Sequence, residues 1–116
     1  MPGAGEPPLP ATGHPAAFHY GPGHIVMYAN PAFQAAFGTG CLGQPAREVM
    51  VTLPPEAFDV MDRVLRGGKP LARRIRVGDA DRRIVVAPRT DPETGEVYGV
   101  VTHLVAGAAG GGLADR

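Results

Sequence analysis

The sequence predicts an α+β domain: a five-stranded antiparallel sheet with short helices and one longer helix on one face. Three observations carry this. Two β-prone runs near the start are joined by Gly21-Pro22-Gly23, and residues 55–66 carry a one-sided apolar stripe. Three further strand-like runs close the chain, with connections too short for a parallel crossover. At 116 residues there is room for one domain and one modest core.

The first two strands are predicted over 16–20 and 24–28, with Gly-Pro-Gly as their hairpin turn. The second run stops at Asn30-Pro31. Asn30 is a good N-cap, because its side-chain oxygen can accept an orphan N–H of the first turn. Pro31 suits the next position, where no N–H is needed and its fixed φ is already helical. A short helix over 31–37 follows, and Gly38 can take the conformation that ends it. Gly38-Thr39-Gly40 and Gly43-Gln44-Pro45 then form a loop, with a helical turn at 46–50.

Residues 55–66 are the clearest helix. At 100° per residue, Ala57, Phe58, Val60, Met61, Val64 and Leu65 fall in one stripe, and Glu56, Asp59, Asp62, Arg63 and Arg66 fall opposite. Asp59–Arg63 and Asp62–Arg66 have the favourable i,i+4 order. Gly67-Gly68 stops the helix. The closing strands are predicted over 70–77, 82–89 and 96–105, with turns at 78–81 and 91–95, as an antiparallel meander.

Glycine and proline crowd the two ends. Residues 1–15 hold eight of them and residues 107–112 hold four glycines. Such ends bury too little apolar surface to offset their ordering, so the folded unit is predicted over 16–105, with disordered tails at 1–15 and 106–116. The formal net charge is zero, which gives no electrostatic case for nucleic acid. No apolar run approaches the ~20 residues that span a bilayer, so no membrane partner is expected. The first residues lack the pattern of a secretory signal, and the single Cys41 rules out an internal disulfide. Cytoplasmic localisation is the default expectation.

Element order and three sequence pieces together resemble the PAS sensor domain. The pieces are Tyr28-Ala29-Asn30-Pro31-Ala32-Phe33, then Gly43-Gln44-Pro45, then Pro88-Arg89-Thr90-Asp91 followed by Gly95-Glu96-Val97-Tyr98-Gly99-Val100-Val101. The resemblance implies strand order 2-1-5-4-3, helices over one face, and a pocket between helices and sheet. It also implies a non-enzymatic sensory module that binds a ligand or dimerises, and passes a signal to an attached or separate effector.

Phe33, Phe37, Phe58, Met61, Leu65, Ile75, Val85 and Val101 are the expected pocket lining, for a small apolar or aromatic ligand. His103 or Arg47 would be its polar anchor. His103 enters by period two, if Gly99 and Val101 point inward as the resemblance implies. The alternative is a pure dimerisation module whose core these side chains fill. On the same parity Tyr98, Val100 and Leu104 lie on the outer face. A central strand this apolar outside needs a cover, which predicts a homodimer through those three residues.

Particular cofactors fare poorly. The stretch from Pro22 to Phe33 is also similar to the light-sensing LOV branch, and Arg47 matches that branch. Its adduct cysteine falls at Ala46, however, and its flavin-reading glutamines fall at Met50 and Val101. Flavin is therefore disfavoured, since a polar ring buried without partners is costly. Haem is disfavoured because residues 55–66 hold no histidine. His14, His19 and His24 recur at odd spacing, which scatters them over a strand's two faces, so no metal site is expected. No nucleophile elbow, phosphate-cradling loop or apolar carboxylate pair supports the third reading, a small-molecule enzyme. Residues 63–89 hold nine basic side chains against Asp79 and Asp81. The expected reading is a solvated strand face, with an acidic partner as the alternative. No aromatic residue interleaves the run as a nucleic-acid stacking platform would need.

Overall fold

A computed structural model describes residues 13–107. Strands β1 (Ala16–Tyr20) and β2 (Ile25–Ala29) lead into helix α1 (Pro31–Phe37), a 3₁₀ turn (Thr39–Cys41), and helices α2 (Ala46–Val49) and α3 (Pro55–Gly67). Strands β3 (Leu71–Val77), β4 (Ala80–Thr90) and β5 (Val97–Ala106) follow. The five strands form one antiparallel sheet in the order β2-β1-β5-β4-β3, as the resemblance implied. Most of the two expected tails lies outside the described residues. Ordered contacts nevertheless extend beyond 16–105: Pro15 O accepts from Leu104 N at 2.9 Å, and Gly107 N donates to Asp81 O at 3.1 Å. Strand β4 starts two residues before its expected position, because Val77 pairs with Ala80. The turn shrinks to Gly78-Asp79, where Gly78 takes φ 63°.

Local chemistry sets the helix ends. Asn30 Oδ1 accepts from Phe33 N at 2.9 Å and also from Ala16 N at 3.0 Å, while its Nδ2 donates to His14 O at 3.0 Å. One side chain thus caps α1 and ties it to the start of β1. Helix α3 ends at Gly68, which is left-handed at φ 74° and donates to Val64 O at 2.9 Å. Ala57, Phe58, Val60, Met61 and Val64 of α3 are buried in one cluster with Ile75, Ile84, Val86, Val100 and Leu104 of the sheet. Full burial of side chains such as Met61 stabilises the fold by about 1.5–3 kcal/mol each. The predicted Asp62–Arg66 pair does not form, because the Asp62 carboxylate turns to His24 and Arg47 instead.

The faces of β4 and β5 are the reverse of the expected ones. Ile84, Val86, Val100, Thr102 and Leu104 are buried and face the helices. By alternation Val85, Val101 and His103 face away, so none of the three lines the interior, and Val100 and Leu104 are core rather than dimer surface. On β5 the cause is a bulge. Arg89 pairs with Gly99, but Thr90 pairs with Val97, which leaves Tyr98 as an extra residue. Tyr98 therefore shares the outer face with Gly99 and Val101, and its ring lies 6.0 Å from Phe18 and 6.4 Å from Tyr20. Tyr98 is the one predicted dimer residue on that face.

Candidate functional site

Phe33, Phe58, Met61 and Ile75 are buried together, and Phe37 and Leu65 are half-buried against them. Arg47 projects to the surface, where its guanidinium lies 5.1 Å from the centre of the Phe58 ring. The packed centre leaves a hollow to one side. A cavity of about 410 Å³ lies where the end of α1 meets the ends of β3 and β5 and the start of β4. Ala36, Phe37, Val77, Leu104 and Ala106 make its apolar wall, and Gly13, His14 and Pro15 run along one edge. Thr52 and Arg82 supply polar groups. Arg82 pairs with Ile75 across the sheet and alternates with Ile84, so it sits on the helix-facing side of β4. Leu65 instead borders a shallow surface pocket with Gly68 and Val97.

A polar chain crosses the packed layers beside this core. His19 is buried, with Nδ1 at 3.4 Å from His24 O and Nε2 at 2.9 Å from Thr102 Oγ1. A carbonyl can only accept, so Nδ1 carries the hydrogen and Nε2 accepts from the Thr102 hydroxyl. Burial lowers the His19 pKa from 6.5 to about 3, so the ring is neutral at pH 7. His24 sits in the β1–β2 turn at φ 54°, a left-handed conformation that costs roughly 1–2 kcal/mol for a side chain with Cβ. Its carbonyl also accepts from Ala46 N at 3.0 Å, and its ring Nε2 lies 2.7 Å from Asp62 Oδ1. Arg47 donates to the other Asp62 oxygen at 3.3 Å. Burial alone would raise the Asp62 pKa. Hydrogen bonds from His24 and Arg47 outweigh it and hold the carboxyl below its usual value. The chain couples turn, sheet and α3, but it presents no nucleophile to a substrate. Among the described residues no group of three or more His, Cys, Asp or Glu side chains could hold a metal ion.

Solved structures share this architecture. The PAS domain of the histidine kinase ThkA superposes with a TM-score of 0.65 at 17% identity, over 79% of this chain and 98% of that one. A sensory box sensor histidine kinase from Vibrio cholerae gives 0.66 at 11% identity, over 80% of each chain. An RNA-binding light-oxygen-voltage receptor gives 0.64 at 18% identity over 83% of this chain, which spans only 30% of that receptor. The chain has the PAS fold. No protein-family model and no curated sequence matches it.

On this PAS sheet the face away from the helices is aromatic. Phe18 is buried there beneath Tyr28, Tyr98 and the Arg89 guanidinium, which lies 4.9 Å from the Phe18 ring centre. Tyr20 and Tyr28 remain 53% and 48% exposed. His103 lies on the same face, and its Nδ1 is 3.0 Å from His14 Nε2. Burial, and then the charge of His14, lower the His103 pKa. Sequence reasoning missed Arg82, His19 and His24 as site residues. For Arg82 the available signal was its even spacing from Ile84 and Val86, which puts it on the helix-facing side of β4, where it is exposed at the sheet's end. No helix among the described residues is long and apolar enough to cross a membrane.

Proposed function

We propose that this chain is a sensory PAS module that binds a small ligand in the cavity at the end of α1 and signals through its outer sheet face to a second copy. It acts without catalysis, on an attached or separate effector. The supporting observation is that one short segment reaches both places. Pro15 and Leu104 border the cavity and hydrogen-bond to each other, while the adjoining His14 and His103 meet on the outer side. A ligand that shifts residues 13–15 would thus alter the outer face, and it need only favour one of two arrangements to do so. Native mass spectrometry and sedimentation, with and without a panel of small apolar ligands, test this. The expected result is a bound mass together with a changed monomer–dimer balance.

A filled-core dimerisation module is the second reading, favoured by the close burial of Phe33, Met61 and Val64. It predicts a dimer that is indifferent to every ligand in the panel.

A further inference from the structure

We infer that the cavity takes a small carboxylate with an apolar body, its carboxylate held by Arg82. The inference deepens the sensory reading and rests on it. Among the described residues Arg82 is the only Lys, Arg, Asp or Glu bordering the cavity. The nearby Arg76, by contrast, has its own acid, Asp81, at 3.0 Å. Among the described residues none forms an ion pair with Arg82. Arg82 borders the hollow and is exposed, and a guanidinium has five donors arranged in a fork that fits one carboxylate in a bidentate pair.

The rest of the lining selects what lies behind the carboxylate. Phe37, Val77, Leu104 and Ala106 offer carbon surface, and Thr52 one hydroxyl. A volume of about 410 Å³ holds a chain or ring of modest size, within the usual range for small-molecule pockets. A phosphate is a poorer fit. It needs several donors, and among the described residues the side chains of the lining offer only Arg82, Thr52 and His14.

Calorimetric titration at pH 7 with octanoate and with 1-octanol tests the inference. Octanoate should bind at least tenfold more tightly than the alcohol. Arg82→Gln should weaken octanoate about tenfold and leave the alcohol unchanged. Arg66→Gln, the same charge change on the far side of α3, should alter neither. Ala36→Phe should block both by filling the cavity from its exposed rim, and it serves as the check if Arg82→Gln does not fold. Equal affinity for acid and alcohol, or no response to Arg82→Gln, overturns the inference. If only the alcohol binds and still shifts the monomer–dimer balance, the inference fails and the sensory reading survives. If octanoate binds through Arg82 but sedimentation is unchanged, the inference stands and the sensory reading fails.

Discussion

His19 enters the folded protein as a neutral ring without its second proton, and stability must depend on pH as a result. Its pKa falls from 6.5 in the ordinary state to about 3 in the fold, so between those values the unfolded chain binds the extra proton. Its contribution is fully present above pH 6.5 and is lost as pH falls towards about 3, at about 1.4 kcal/mol per pH unit. Asp62, whose pKa is also lowered, adds a loss only below its ordinary value of 3.8. His103, whose pKa is lowered too, adds to the loss below 6.5. Denaturant unfolding between pH 4 and 6.5 should show this slope, and His19→Gln should reduce it markedly while leaving the part due to His103. A second residue, Asn30, serves three backbone groups at once. Asn30→Ala should cost about 2–3 kcal/mol, the sum of a lost cap and newly unpaired buried groups. An equilibrium unfolding curve would reveal it. Asn30 was legible in the sequence because capping is local chemistry. The partners of His19 and His24 were not, since Thr102 and Asp62 are distant along the chain and nothing in residue spacing pairs them.

Local signals also carried the elements. Helices α1 and α3 and strand β1 lie where their caps, stripes and turns put them, within a residue at each end. The facing of β5 was not readable, because the strand is apolar on both sides and alternation has no contrast to follow. The bulge at Tyr98 then changed the phase midway, and it moved Val101 and His103 out of the expected pocket. Val85 lies outside by plain alternation with the buried Ile84 and Val86. Close strand packing at the neighbouring Gly99 can be tested directly. A Cβ there would sit 2.3 Å from His19 O and 2.8 Å from the Phe18 ring, so β1 and β5 would have to separate. Gly99→Ala should destabilise the domain by about 2–3 kcal/mol, as overpacking does. Gly68→Ala, whose left-handed φ is 74° but whose nearest neighbour is a side chain at 3.4 Å, should cost only about 1 kcal/mol. Parallel melts of the two variants would separate backbone collision from simple conformational strain.

At the scale of the molecule, the outer aromatic face sets the expected assembly. If two copies bury Tyr20, Tyr28 and Tyr98 against each other, the melting temperature should rise with protein concentration. Tyr98→Glu should remove that dependence and halve the mass in sedimentation at micromolar concentration. An unchanged mass would exclude this face as the interface. Strand order was legible because short connections leave few topologies, whereas the cavity arises from surfaces that meet only after folding, with Arg82 hidden in a run of arginines. The two limits of the described region also lie side by side. Pro15 bonds to Leu104, and Gly107 bonds to Asp81 at the adjacent strand end. Entry and exit therefore share one end of the sheet. Such a domain can be spliced into a surface loop of another protein without stretching its host. A short linker from Gly107 to Gly13 would close the chain into a ring, which could be reopened at the Asp91–Glu96 turn to give a permuted protein with the same sheet.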